Sequence, residues 1–135
     1  MQITPYLHFN GQCDAAFKFY EKVLGGKIAF RIKMGEMPAT ENVPKEHHDK
    51  IAHIRLIVGN AVLMGSDACQ GYNKPQGFTV SLGIDTAEEA ERVFKALSEN
   101  GKVQMPLEET FWALRFGVTT DQFGTPWMIN CEKKN

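Results

Sequence analysis

The side chains best suited to acid–base or binding chemistry lie in two short segments of the first half of the chain. Tyr6 and His8 alternate with apolar residues in one segment, and His53 and Arg55 do so in the other. Because alternate residues of a β-strand point to the same face, each pair presents its polar groups together. His8 with Tyr6 suggests a general base with an orienting phenol, whereas His53 with Arg55 suggests a site for an anionic or oxygen-rich ligand.

Each of these interpretations has a structural alternative. His53 also fits a histidine that bonds to a neighbouring strand or to Asp67. A histidine at the end of a strand, such as His8, also fits a partly exposed residue without a function. The sequence leaves these alternatives open.

Other chemical motifs in the sequence are weak. Cys13 and Cys69 lack the pattern of neighbouring basic residues that lowers a thiol pKa. There is no nucleophile-elbow serine and no GxGxxG turn, so we predict neither a Ser-His-Asp hydrolase nor binding of S-adenosylmethionine or another cofactor. His47 and His48 could bind a metal ion adventitiously, but their charged segment favours a solvated loop.

The elements that position these residues occur twice. Gly25-Gly26-Lys27-Ile28 ends an amphipathic run in the first half, and Asn100-Gly101-Lys102-Val103 ends a similar run in the second. At the same offset Thr4 corresponds to Thr79, and Phe19 to Phe94. A single long offset predicts two copies of one supersecondary unit, at about residues 1–67 and 77–133 of one domain spanning 1–135.

Hydrophobic periodicity predicts strand, helix, strand, strand and strand in each half. In the first half we expect strands at 3–9, 27–34, 51–58 and 61–66, a helix at 13–24, and a mobile loop at 35–49. In the second half we expect strands at 77–84, 102–108, 112–119 and 125–131, and a helix from Thr86 to about Glu99. Asp121-Gln122-Phe123-Gly124 predicts a turn.

The alternation within each strand assigns its faces. Pro5, Leu7 and Phe9 are expected to face a helix, with Thr4, Tyr6 and His8 on the opposite face. The second copy repeats this arrangement, with Thr79, Ser81 and Gly83 on the face away from its helix. In the third strand Ile51, His53 and Arg55 are expected to share one face. If the sheets curve towards each other, the polar faces line a ligand cavity.

The composition of the chain predicts a soluble domain. The chain has 135 residues, 43% hydrophobic residues and a net charge of -1 without a basic block, so we expect no nucleic-acid or membrane partner. No apolar run approaches the ~20 residues of a membrane span. Three cysteines without a CxxC spacing predict reduced thiols and a cytoplasmic protein.

Motifs along nearly the whole chain resemble the vicinal oxygen chelate superfamily (glyoxalase, bleomycin-resistance and dioxygenase proteins), and more closely its PhnB-like branch, often labelled demethylubiquinone methyltransferase-like. The resemblance is carried by Pro5-Tyr6-Leu7-His8-Phe9-Asn10-Gly11, Ala16-Phe17-Lys18-Phe19-Tyr20, His53, Met64-Gly65-Ser66-Asp67, Met105-Pro106-Leu107, Thr110-Phe111-Trp112, Asp121-Gln122-Phe123-Gly124 and Trp127-Met128-Ile129-Asn130. It implies an α+β fold of two βαβββ modules that form an incomplete barrel with a curved mixed sheet, in a homodimer.

Metal-dependent members of that superfamily place ligands on the first and fourth strand of each module. Those positions fall at or near Thr4, Met64, Thr79 and Met128 in this chain. Hydroxyl and thioether side chains are poor ligands for Zn, Ni, Fe or Mn, which prefer imidazole and carboxylate. We therefore expect no metal at this position and an apolar methionine floor instead, with Trp127 buried beneath a helix.

Trp112 and Phe116, with Val118, are directed by the resemblance into the cavity, although ordinary core packing is the alternative. The predicted function is binding of a small oxygenated or aromatic molecule without the usual metal, and whether a reaction follows is left open. The residues expected to bind it are Thr4, Tyr6, His8, His53, Arg55, Met64, Thr79, Trp112, Phe116 and Met128. The alternatives are a metal-dependent lyase, isomerase or dioxygenase, and a resistance-type sequestering protein.

Overall fold

The computed structural model describes residues 1–38 and 43–134. The chain divides into two compact units, of which the first ends at Asn73 and the second begins at Lys74. Each unit contains a strand, a helix and three further strands in that order. No helix among the described residues has the length and apolar composition that a bilayer crossing requires.

The first unit is a four-stranded mixed sheet with one helix. Its elements are β1 (Tyr6–Phe9), α1 (Cys13–Leu24), β2 (Lys27–Lys33), β3 (Ile51–Val58) and β4 (Ala61–Asp67). The sheet order is β1-β4-β3-β2, with β1 parallel to β4 and the other neighbours antiparallel. The first strand starts at Tyr6, later than predicted. Pro5 accepts a hydrogen bond from the backbone of Met64 but has no N–H to donate, so the pairing of β1 with β4 is incomplete at this residue.

The second unit repeats this topology. Its elements are β5 (Val80–Gly83), α2 (Ala87–Ser98), β6 (Lys102–Glu108), β7 (Ala113–Thr120) and β8 (Pro126–Glu132), in the sheet order β5-β8-β7-β6. Thr86 caps α2, since its hydroxyl accepts a hydrogen bond from the backbone of Glu89 at 3.2 Å. The predicted α+β class and the two βαβββ repeats are confirmed.

Aromatic side chains fill the space between α1 and its sheet. The Phe9 ring lies 6.0 Å from that of Phe17, and Phe17 lies 5.6 Å from Tyr20, both in edge-to-face arrangements. All three side chains are buried, as is Leu7. Burial of each large apolar side chain contributes about 1.5–3 kcal/mol, so this cluster fixes the helix-facing side of β1 as predicted.

A buried carboxylate organises the turn before β8. Asp121 Oδ1 accepts hydrogen bonds from the backbone of Phe123 and Thr125, and its Oδ2 accepts one from Trp127 Nε1 at 2.8 Å. Trp127 is fully buried. The predicted turn and the predicted core position of Trp127 are both confirmed.

The repeated Gly-Lys pairs have a packing reason. A Cβ on Gly26 would lie 2.6 Å from the carbonyl oxygen of Ile57, and a Cβ on Gly101 would overlap the carbonyl of Thr120. Each glycine therefore permits the close approach of the helix end to the strand beside it.

The predicted loop at 35–49 has more local structure than expected. Short 3-10 turns occupy Met34–Glu36 and Lys45–His47. The backbone of Met34 donates to Lys50, and that of Gly35 to His48, which continues the pairing of β2 with β3 beyond the strands. Residues 39–42 of the predicted loop lie outside the described residues.

One predicted face is wrong. Ile51 is buried and does not share the face of His53. Ile32 of β2 pairs with His53 of β3, and the next residue, Lys33, pairs with Ile51, so β3 advances by two residues where β2 advances by one. The extra residue, Ala52, is a β-bulge that reverses the side to which the strand end points. His53 and Arg55 keep the predicted shared face.

Candidate functional site

The sheet of the first unit has one face towards α1 and one face away from it. Residues paired across neighbouring strands point to the same side of the sheet. The pairs that lie on the side away from α1 form a surface that we call the open face. Its residues are Tyr6, His8, Lys27, Phe30, Ile32, His53, Arg55, Ile57, Val62, Met64 and Ser66. Four of the predicted site residues with polar groups (Tyr6, His8, His53 and Arg55) therefore lie on one surface.

The closest polar contact on the open face joins Tyr6 to His53. Tyr6 Oη lies 3.0 Å from His53 Nδ1, and the two rings stack with centroids 5.6 Å apart. When the imidazole carries its proton on Nε2, the phenol donates to Nδ1. This bond gives both side chains a defined position at a surface where each would otherwise rotate freely.

Two further rings flank this pair. The His8 ring lies 5.2 Å from that of Tyr6, and the Phe30 ring lies 5.9 Å from that of His53. Phe30 is 49% exposed, although phenylalanine is among the residues most often buried in proteins. The four rings form an aromatic surface with a phenol and two imidazoles within it.

Phe30 belongs to this aromatic surface, although the sequence analysis did not single it out. Ile28 pairs with Leu56 and Phe30 with Arg55, so β2 contains one extra residue, Ala29, in this stretch. Simple alternation would place Phe30 on the same side as Ile28, towards the helix. The bulge turns it to the open face, and no local sequence signal marks the bulge.

Asp67 is not the partner of His53 that one alternative proposed. Its Oδ1 accepts a hydrogen bond from the backbone of Cys13, and its Oδ2 accepts one from the backbone of Ile51, both at 2.9 Å. Asp67 is 5% exposed. Its carboxylate therefore ties the start of α1 to the start of β3, on the helix side of the sheet.

The positions that would hold a metal in this type of fold do not fit one. Thr4 lies two residues before the start of β1, and Met64 lies opposite Tyr6. In the second unit Met128 pairs with Ser81, which is two residues beyond Thr79. Hydroxyl and thioether groups do not supply the imidazole or carboxylate ligands that divalent transition metals prefer. In the described part of the chain no three His, Cys, Asp or Glu side chains are grouped as metal ligands.

The predicted residues of the second unit are mainly apolar. The rings of Trp112 and Phe116 lie 5.2 Å apart in an edge-to-face arrangement, and Trp112 is 42% exposed. The role of Trp112 in ligand binding stays a prediction. Met128 lies between Ser81 and Val118 across the sheet, so this face offers stacking and van der Waals contact but no titratable group at these positions.

Buried Cys13 is not a suitable nucleophile. Burial raises the pKa of the Cys13 thiol, and the nearby negative charges of Asp67 and Asp14 raise it further. Such a thiol stays protonated and unreactive at neutral pH. Cys69 is exposed, and its thiol donates to the sulfur of Met34 at 3.1 Å.

A separate polar pocket lies at the ends of β5 and β8. Its volume is about 440 Å³. The lining includes residues of both charges and consists of Gly83, Ile84, Asp85, Asn130, Glu132, Lys133 and Lys134. None of these residues was among the predicted ligand-binding set.

Comparisons with known proteins agree with this architecture. A family model described as Glyoxalase/Bleomycin resistance protein/Dioxygenase superfamily matches residues 2–129. Protein YjdN of Escherichia coli (strain K12) is 40% identical over 143 residues, which cover 99% of this chain and 97% of YjdN.

Two solved structures extend the comparison. Protein PA1353 from Pseudomonas aeruginosa is 47% identical, with a TM-score of 0.91 and 99% of each chain covered. The structure described as a putative 3-demethylubiquinone-9 3-methyltransferase, PhnB protein, from Bacillus cereus is 23% identical, with a TM-score of 0.82 over 97% of this chain and 99% of that one. The second similarity is one of fold.

Proposed function

This chain belongs to the glyoxalase/bleomycin resistance protein/dioxygenase superfamily, and from that premise we propose that it binds a small oxygenated or aromatic molecule on the open face. Because this fold hosts many unrelated activities, the proposal rests on the site rather than on the family. The observation that carries it is the Tyr6–His53 hydrogen bond, with Oη and Nδ1 3.0 Å apart, between two flanking rings.

The chemistry of the open face supports this ligand class. An aromatic ring can lie against Tyr6, His8 or Phe30, whose edges and faces provide stacking contacts. A ligand oxygen can accept a hydrogen bond from an imidazole N–H or exchange one with the phenol. Apolar walls with a few convergent polar groups are the usual composition of small-molecule sites.

A second candidate, an acid–base enzyme, is favoured by the same hydrogen bond. The 3.0 Å separation of Tyr6 Oη and His53 Nδ1 lies within the range of about 2.6–3.2 Å that proton transfer requires. Movement of the phenol proton to Nδ1 would leave a phenolate able to remove a proton from a bound substrate, with the proton returned from the imidazolium. The reaction class would be an isomerisation or a lyase elimination.

A third candidate, a sequestering protein, shares the binding step but forms no product. The relation to bleomycin-resistance proteins at the level of the family supports keeping it. The homodimer implied by the family resemblance is likewise a proposal for this chain, and sedimentation equilibrium measures it directly.

A thermal-shift screen of small aromatic and oxygenated compounds tests the proposed function. A ligand at ten times its Kd stabilises the folded state by about 1.4 kcal/mol, which raises the Tm of a domain of this size by about 5 °C. The shift should fall by about half or more in Tyr6→Phe and in His53→Gln but be retained in Tyr72→Phe, a control tyrosine outside the open face. An unchanged thermal shift in both site variants would contradict the proposal. Mass spectrometry of each hit compound after incubation with the protein distinguishes binding from turnover.

A further inference from the structure

Resting on the proposed function, we propose that the molecule is an anion: a small aromatic carboxylate bound by the Arg55 guanidinium, with its ring among Tyr6, His8, Phe30 and His53. The inference concerns the charge of the ligand and the residue that recognises it. It comes from the distribution of charged groups over the first unit.

The strands of the open face carry cations without matching anions. Arg55 and Lys27 lie on this face, and none of its strand residues is Asp or Glu. Two described carboxylates next to these strands bind backbone instead: Glu21 Oε2 accepts a hydrogen bond from the backbone of Ile28, and Asp67 accepts from two backbone N–H groups on the helix side. A surface of one sign attracts the opposite charge in its ligand.

Arg55 differs from the other arginines of the chain. Of the four arginines, Arg31 pairs with Asp14 at 2.9 Å, Arg115 with Glu91 at 2.9 Å, and Arg92 with Glu89. Arg55 forms no ion pair with any residue in 1–38 or 43–134. Within the described residues its fork of donors therefore has no carboxylate partner, and guanidinium binds a carboxylate through two parallel hydrogen bonds.

The register places this guanidinium at a useful distance from the rings. Tyr6, Met64, Arg55 and Phe30 form one row across β1, β4, β3 and β2. Tyr6 and Arg55 are two strands apart, or about 10 Å between Cα atoms, and His53 lies about 7 Å from Arg55 along its own strand. A benzoate-sized molecule, with its charge at one end and its ring at the other, matches this spacing.

A matched pair of ligands tests the inference. Isothermal titration calorimetry with benzoate and with benzamide compares two rings of equal size that differ in charge. We expect benzoate to bind at least about tenfold more tightly, because a carboxylate forms charge-assisted bonds with guanidinium that an amide does not. Similar affinities for the two compounds would overturn the inference.

Arginine variants identify the residue responsible. Arg55→Gln should remove the preference for benzoate, and Arg55→Lys, which keeps the charge but not the planar fork, should retain part of it. Arg31→Gln on the adjacent strand is the control, since its guanidinium pairs with Asp14, and should keep the full preference. A preference that survives Arg55→Gln would also overturn the inference.

The outcomes separate this inference from the proposed function. If benzamide binds as well as benzoate and Tyr6→Phe weakens both, the proposed binding site is supported and the proposed negative charge of the ligand is wrong. If inorganic phosphate binds as tightly as benzoate, the rings contribute nothing and the aromatic part is wrong. If none of the three binds, the carboxylate inference fails, and the compound screen alone decides the proposed function.

Discussion

Tyr6 and His53 are 47 positions apart in sequence, yet the phenol oxygen and Nδ1 lie within 3.0 Å. Their strands are not neighbours, because β4 separates β1 from β3 in the sheet. The two side chains therefore meet above the β4 backbone.

Removal of the Tyr6 hydroxyl should affect binding more than folding. Because Tyr6 is 38% exposed, Tyr6→Phe should change the free energy of unfolding by less than about 1 kcal/mol in urea titrations. The same variant should weaken an oxygenated ligand about fivefold or more, since one hydrogen bond and the position of His53 are lost. Unchanged ligand affinity would remove Tyr6 from the site.

Asp67 should be among the most sensitive positions for stability in the first unit. Asp67→Asn replaces one acceptor oxygen with an amino group that faces a backbone N–H, and we expect a loss of about 2–3 kcal/mol in the free energy of unfolding. Asp49→Asn is the control, because the Asp49 side chain is 100% exposed, and should change stability by less than about 0.5 kcal/mol. Equal effects of the two substitutions would contradict the assigned role of Asp67.

Gly65 should not tolerate a side chain. A Cβ there would lie 2.7 Å from Phe17 Cε1 and 2.8 Å from the carbonyl oxygen of Leu7. Overpacking of this kind costs about 1–3 kcal/mol, so Gly65→Ala should lower the urea midpoint accordingly. Gly83→Ala, where a Cβ would meet nothing within 4 Å, should leave the midpoint nearly unchanged. A tolerated Gly65→Ala would mean that α1 packs less closely on β4 than described.

The cysteines should differ sharply in reactivity. Iodoacetamide at pH 8 should modify exposed Cys69 in the folded protein, whereas buried Cys13 and Cys131 should react only after addition of urea. Intact-mass spectrometry counts the adducts. Rapid modification of Cys13 in the folded protein would contradict its burial.

The raised pKa of Cys13 also sets a direction for alkaline stability. The folded state keeps the thiol protonated, while the unfolded chain ionises above the ordinary value of 9.0. The unfolded state thus loses its proton first, so stability should fall as pH rises beyond about 9. Cys13→Ala should flatten this fall relative to the unsubstituted protein, and an unchanged pH profile would argue against the shift.

Most of the fold could be predicted because each half has strong local signals. The run from Cys13 to Leu24 has helical periodicity and ends at Gly25, whose positive φ of 74° suits a left-handed cap. Alternation placed Leu7 and Phe9 towards that helix. Local pattern and tertiary packing agree at these positions, which is why the sequence alone was sufficient.

The misses have a common cause in the pairing of β2 with β3. A bulge at Ala52 reverses the predicted face of Ile51, and a bulge at Ala29 turns Phe30 to the face opposite to that of simple alternation along β2. A bulge depends on the fit between two strands, so a single segment contains no reliable signal for it. The sequence accordingly predicted the shared faces of Tyr6 with His8 and of His53 with Arg55, but it did not predict that Phe30 lies on the same surface.

The most direct measurement is an NMR titration with benzoate that follows the side-chain Nε–Hε signals of the arginines. The three ion-paired guanidinium groups, those of Arg31, Arg92 and Arg115, serve as internal references. Binding at the open face predicts a saturable shift of the Arg55 signal together with the backbone amides of Tyr6 and His53, while the references remain fixed. A saturable response centred on the references or on the helices, with Arg55 unmoved, would show that the ligand site is elsewhere.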